Sequence, residues 1–368
     1  MRYSGNILCA AELGADYERL ILSGMRAVVL PRHGSPDVLR VEERPDPQVA
    51  TGQVRISVEA AGLNFSDLLA RIGVYPDAPK LPSVLGYEVA GVVDDIGPNV
   101  DGVKPGDRVV AATRFGGFAE FAIANAVDTI PVPEKMSTVD AAAIPVNYGA
   151  AYAALFVMGG VRKGDRVLIH SAAGGVGIAA TQLARHFGAT VIGVGSAAKH
   201  EQMRTEGADY MVDYRAQDVA TEVLRLTDGE GVDIILDPIG PTSLRRDWKV
   251  LRPGGRVIAY GVSQVQQGER RNLIAAVRML LAFPFATMPW WQSARMMNQN
   301  KGVFGLNILH WWDQEHGLAR LIMPIRELMD TGVVRPVVDS TFSFDQAADA
   351  HRRLMSGNTI GKVVLTPR

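Results

Sequence analysis

The run Val167-Leu168-Ile169-His170-Ser171-Ala172-Ala173-Gly174-Gly175-Val176-Gly177-Ile178-Ala179-Ala180 constrains the fold of this chain more than any other stretch. An apolar strand passes through a turn of small residues straight into a helix. A backbone that turns this sharply, approaches a bulky anion and packs its helix close to a sheet has room only for small side chains. Ala172, Gly174 and Gly177 carry the spacing of the dinucleotide fingerprint, with alanine at the first glycine. Gly175 and Val176 open the helix, whose first N–H groups lack intrahelical acceptors and present positive potential to phosphate. Taken alone, such a turn is also an ordinary strand-to-helix connection, so its surroundings decide.

Those surroundings alternate. Strand-like segments at 166–170, 190–194, 210–212, 232–236 and 256–260 are separated by helical ones at 176–187, 199–206 and 218–227. This predicts an α/β fold with a doubly wound parallel sheet. The preceding part differs: from 25 to about 130 it is dense in Pro and Gly. Segment 53–60 alternates polar and apolar residues, 89–93 and 107–112 read as strands, and Lys104-Pro105-Gly106-Asp107 reads as a turn. That is a β-rich, barrel-like unit. Between the two lies a helical stretch, 139–158, with a break at Pro145. After 309 come a helix at 318–331, an extended segment at 333–338, a helix at 345–355 and a strand at 362–365.

Sites for NAD usually place an acid about 20 residues beyond the glycines, on the ribose hydroxyls. Here the chain reads Val194-Gly195-Ser196-Ala197-Ala198-Lys199-His200, with no acid before Glu201. Ser196 and Lys199 can donate to a 2′-phosphate, and Tyr214 adds a phenol after the next strand. NADPH is therefore the expected cofactor.

Composition removes other classes. Lys and Arg total 38 against 39 acids, so no global field recruits nucleic acid or an anionic membrane. Cys9 is the single cysteine, which excludes a disulfide within the chain and any multi-thiolate metal site, and suits the cytoplasm. Residues 1–24 read as an extension, and Met25 opens the first convincing strand. Segment 273–291 imitates a membrane span with Arg278 as its only charge, but Pro284 and Pro289 interrupt it. A buried helix, pocket cover or subunit interface is the expectation there.

With these residues in view, the chain resembles the medium-chain dehydrogenase/reductase superfamily, in its zinc-free quinone oxidoreductase branch. It looks closest to the subgroup of synaptic vesicle membrane protein homologues. The resemblance rests on Ala61-Gly62-Leu63-Asn64-Phe65-Ser66-Asp67 with Arg71 and Tyr75, and on Leu85-Gly86-Tyr87-Glu88-Val89-Ala90-Gly91. Lys104-Pro105-Gly106-Asp107-Arg108-Val109, Val146-Asn147-Tyr148, Asp237-Pro238-Ile239-Gly240 and Gly361-Lys362-Val363-Val364-Leu365 extend it from about Met25 to the C-terminus.

The resemblance implies a GroES-like catalytic domain at 25–148, completed by 309–368, around a Rossmann NADP-binding domain at 149–308. It implies a homodimer joined through strand 303–308. It assigns Asn147, Asn307 and Lys362 to the cofactor beside the glycine turn, and Asn64, Tyr75 and Tyr87 to the acceptor. Zinc-dependent cousins carry a cysteine and a histidine where this chain has Ser66 and Tyr87, so no metal is expected. Without a Lewis acid, the implied acceptor is one that stabilises its own charge, a quinone or α,β-unsaturated carbonyl. Asp67 and Arg71 read as structural. Ala150 stands where many relatives carry Thr, and Pro241 where they carry a second glycine. The alternatives are an enoyl-thioester or 2-alkenal reductase, and a low-turnover NADPH-binding redox sensor or membrane-associated adaptor.

Overall fold

The computed structural model describes residues 24–263, 290–311 and 318–368. Among them the first strands are β1 (Gly24–Leu30), β2 (Arg40–Pro45), β3 (Gln53–Leu63), β4 (Ser83–Val84), β5 (Glu88–Ile96), β6 (Arg108–Ala112), β7 (Phe121–Asn125) and β8 (Thr129–Pro131). Then follow β9 (Arg166–His170), β10 (Thr190–Gly195), β11 (Tyr210–Asp213), β12 (Val232–Asp237), β13 (Leu251–Ala259) and β14 (Gly302–Gly305). The last two are β15 (Val338–Ser343) and β16 (Lys362–Thr366).

Two architectures result. β9 to β14 form one parallel sheet in the order β11-β10-β9-β12-β13-β14. Numbered from its own first strand that is 3-2-1-4-5-6, the doubly wound order with its reversal between β9 and β12. The middle of β9, Val167-Leu168-Ile169, is apolar because both of its faces are covered. Val167 and Ile169 pack with Ala179 and Ala180 of helix Gly175–His186, while Leu168 joins Val223 and Val250 on the opposite face.

The other strands make a three-stranded sheet, β2-β1-β4, and a larger one in the order β15-β16-β3-β5-β6-β8 with β7 also on β3. The alternation at 53–60 does what period two requires: Val54, Ile56, Val58 and Ala60 are buried. One apolar cluster then continues from Val110 and Ile130 through Ile144 and Tyr148 to Val167 and Ile169, joining barrel to parallel sheet. The cleft between them is therefore set by packing.

Several expectations need correction. The strand expected at 303–308 ends at Gly305, and Ile308–Trp311 is a 3-10 turn. The extended segment at 333–338 precedes its strand, which is Val338–Ser343. β13 begins five residues before 256, at Leu251, with a register shift that absorbs Pro253 and Gly254. Pro241, standing where relatives carry a second glycine, is the first residue of helix Pro241–Val250, where a missing N–H costs nothing. Gly240 before it holds φ +117°, a backbone only glycine adopts readily. The extension 1–23, Cys9 and most of the segment 273–291 lie outside the described residues. The run Thr138–Met158 is long and apolar enough to cross a membrane, yet 72% of its most apolar window is buried inside the fold.

His351 is fully buried, its Nδ1 accepting from Arg71 Nε at 3.3 Å. Burial first, and the Arg71 charge second, lower its pKa from 6.5 to about 3. A group depressed on folding contributes stability that is complete above pH 6.5 and lost as pH falls toward 3. His351→Asn keeps an acceptor for Arg71 and removes the titration. Its urea midpoint is expected to fall less steeply than wild type between pH 6.5 and 4, and parallel slopes would refute this.

Candidate active site and cofactor crevice

The glycine turn lies where the sheet order reverses. β9 ends at His170, Ser171 takes φ +52°, and helix Gly175–His186 starts with Gly174 as its N-cap. Ala172 N–H donates to Val194 O at 3.1 Å, tying the turn to β10. The helix leaves the N–H groups of Gly175, Val176 and Gly177 without intrahelical acceptors, and a phosphate satisfies that geometry. Side chains are refused here: a Cβ on Gly177 would lie 2.3 Å from Ser171 O, and one on Gly175 would lie 2.4 Å from Asn147 Nδ2. Asn147 is thus held over the turn, with its Nδ2 donating to Ala143 O at 3.0 Å.

Ser196 follows β10 and is buried. Lys199 is not the free surface cation its sequence suggests, because its Nζ donates to Gly357 O and Thr359 O, each at 2.8 Å. Burial first, then the Arg215 and Arg353 charges, lower its pKa, opposed by Asp339. Tyr214 is half exposed, and the Arg215 guanidinium packs 5.7 Å from its ring centre. Arg215 thus adds positive charge near Lys199, whereas the Arg353 guanidinium is paired through two bonds with Asp339. The adjacency of Arg215 to Tyr214 was the signal by which the sequence could have announced it; nothing in the linear order announces Arg353.

The barrel side supplies the other wall. Tyr75 and Tyr87 meet edge to face, with ring centres 6.3 Å apart, and Phe115 packs 5.0 Å from Tyr87. The Tyr87 hydroxyl is buried and has no hydrogen-bond partner of good geometry, although Ser66 and Tyr75 are near it. Burial raises the Tyr75 pKa to about 12. The Tyr87 phenol is raised further, first by burial and then by the Asp67 charge. Both are donors at neutral pH. The Tyr75 hydroxyl reaches Asn307 Oδ1 at 3.5 Å, the long limit of a hydrogen bond.

Two expected site residues sit differently. Asn64 Nδ2 donates to Glu88 Oε1 at 2.9 Å and to Gly62 O at 3.3 Å, and its Oδ1 accepts from Lys362 Nζ at 2.6 Å. With both amide hydrogens taken, Asn64 supports the wall instead of facing the acceptor. Lys362 is buried and also pairs directly with Glu88, so its ammonium serves the same cluster. Glu88 Oε2 accepts from Val146 N–H at 2.8 Å, and Gly361 N–H donates to Ala173 O at 2.8 Å. One buried group therefore joins barrel, helix Pro145–Tyr152 and glycine turn. Asp67, also buried, accepts from Asn64 N–H at 2.8 Å and Gly86 N–H at 3.1 Å, and burial lifts its pKa to about 7.

A barrel closed over the reversal point of a 3-2-1-4-5-6 sheet is the build of two-unit nicotinamide oxidoreductases. Residues 50–134 match the alcohol dehydrogenase GroES-like domain and residues 206–365 the zinc-binding dehydrogenase family. The chain belongs to the medium-chain dehydrogenase/reductase superfamily, as a quinone oxidoreductase-like member. It is 35% identical over 351 residues to the human synaptic vesicle membrane protein VAT-1 homolog, spanning 93% of this chain and 86% of that protein. Among solved structures, Escherichia coli quinone oxidoreductase complexed with NADPH has a TM-score of 0.80 at 26% identity, covering 93% of this chain and 100% of that one. An NAD-dependent alcohol dehydrogenase gives 0.78 at 31% identity, covering 94% and 100%.

Proposed function

We propose that this oxidoreductase is a zinc-independent reductase that passes hydride from NADPH to a quinone or α,β-unsaturated carbonyl. The observation that carries the reading is the aromatic wall of Tyr75, Tyr87 and Phe115, in which the buried Tyr87 hydroxyl meets no hydrogen-bond partner of good geometry. A carbonyl oxygen gaining charge is the partner such a donor fits, and a preoriented donor in a dry cleft stabilises that charge strongly. Tyr75 lines the same wall. Bound NADPH supplies the hydride.

The chain's own residues then divide the remaining work. The Ala172 to Gly177 turn, with Gly174, Gly175 and Val176, holds the pyrophosphate through backbone N–H groups. Ser196, Lys199 and Tyr214 receive the 2′-phosphate, with Arg215 adding charge. Asn147 and Asn307 hold the nicotinamide end. Lys362 and Asn64 fix the cleft wall. Ser66 and Tyr87 stand at the positions where zinc-dependent relatives place metal ligands, and neither is a usual zinc donor. We also propose the catalytic unit as 25–148 with 309–368, the cofactor unit as 149–308, and a cytoplasmic location. A homodimer through β14 is favoured by its place at the end of the parallel sheet among the described residues and by the half-exposed Phe304 on it.

The test is NADPH and NADH oxidation against a panel of quinones and enones. Turnover is expected with NADPH, and Lys199→Ala combined with Arg215→Ala should reduce the NADPH over NADH preference at least tenfold. An unchanged preference would remove the 2′-phosphate assignment, and no turnover with any acceptor would remove the reductase. A second reading, a membrane-associated adaptor, draws on the name of the vesicle-protein relative. Co-sedimentation with anionic vesicles, in the absence of turnover, would favour it.

A further inference from the structure

The loop that follows helix Phe65–Arg71 carries Tyr75 and, two residues on, Asp77. Asp77 reaches across the mouth of the cleft to the segment following β14. Its Oδ2 accepts from Asn307 Nδ2 at 3.1 Å, and His310 Nε2 lies 3.1 Å from both carboxylate oxygens. Asn307 Oδ1 accepts from Leu309 N–H at 3.1 Å and meets the Tyr75 hydroxyl. A backbone N–H can only donate and a carboxylate can only accept, so these partners fix which end of the Asn307 amide is oxygen. One Nδ2 hydrogen is left over, and its direction follows from the other bonds. A single carboxylate therefore anchors the loop bearing Tyr75 and orients the amide of Asn307, on opposite walls of the cleft.

We propose that Asp77 is a positioning residue that clasps the cleft mouth through Asn307 and His310 and holds Tyr75 and Asn307 in register. Its effect on acceptor binding rests on the reductase reading above; its effect on the two walls does not. The Asp77 carboxylate is engaged by Asn307 and His310, so its loss should loosen the mouth and leave the hydride distance, once reached, nearly intact.

The experiment uses the full chain with Asp77→Ala and Asp77→Asn. Hydrogen exchange is followed at residues 72–80 and 302–311 without acceptor, and steady-state rates are measured with NADPH and a quinone from the panel. Asp77→Ala is expected to speed exchange at both segments together, about fivefold or more, and to raise the quinone KM about tenfold with kcat within twofold, the size expected for two part-exposed hydrogen bonds. Asp77→Asn keeps an acceptor oxygen for Asn307 and should restore most of both effects. Unchanged exchange at either segment overturns the clasp, as does an Asp77→Asn variant no better than alanine. If the wild-type chain reduces no acceptor, the reductase reading fails while the exchange at the two segments still decides the clasp.

Discussion

Gly177→Ala is expected to weaken NADPH binding by at least about 100-fold, the size of effect that small misplacements of a binding frame produce. The added Cβ would meet Ser171 O at 2.3 Å and Ala172 Cα at 2.7 Å, both backbone atoms of the turn itself. Neither can swing aside as a side-chain end can. The helix must move off the sheet, and its first N–H groups then lose their common focus. Two neighbours serve as graded controls. At Gly175 the clash is with the Asn147 carboxamide at 2.4 Å, a side chain with rotamers to spend, so alanine there should cost less. At Gly174 the nearest atom is Ser171 O at 3.2 Å and φ is −81°, which suits any residue, so alanine should cost least. Titration of cofactor fluorescence on the three folded variants gives the order. Binding by Gly177→Ala within threefold of wild type would refute the cradle.

Lys362→Met should destabilise the chain by about 3–5 kcal/mol, the usual cost of leaving one partner of a buried ion pair uncompensated. Lys362 and Glu88 have side chains 3% and 0% exposed, so water cannot take over for the missing ammonium. Asn64 Oδ1 loses its donor at the same stroke. Glu88→Gln keeps an oxygen for Val146 N–H while removing the charge. The double variant Lys362→Met with Glu88→Gln is therefore expected to recover a good part of the loss, a coupling that urea unfolding of both singles and the double measures. A single Lys362→Met loss under 1 kcal/mol would show the cluster to be wetter than its burial implies.

The parallel sheet was legible in the sequence because its signal is local and redundant: apolar strands buried on both faces alternate with helices, and small residues crowd one turn. The element boundaries that failed are those where a long-range partner decides. β14 makes its last ladder bond from Leu306 N–H to Ala259 O, and beyond it Asn307 is drawn toward Asp77. β15 begins only where β16 runs beside it. The site divided the same way. The turn and its helix could be read from spacing, and the tyrosines from the family resemblance. The redirection of Asn64 and Lys362 could not be read, because their partner Glu88 comes from another strand and 298 residues separate the two. Arg353 and the Asp77 to His310 contact are equally products of tertiary placement.

That wide separation also dictates an order of assembly. β16 is hydrogen-bonded between β3 and β15, deep in the sheet order of the barrel. A ribosome delivers β3 roughly 300 residues before the strand that lies against it, and domains fold as units while the chain emerges. The parallel sheet is complete in itself by Gly305, so it can settle first and wait. The barrel, and with it the buried Lys362 and the closed wall of the cleft, is finished only after residue 366 leaves the exit tunnel. Nascent chains halted short of that point should hold the cofactor unit folded and the acceptor side unmade.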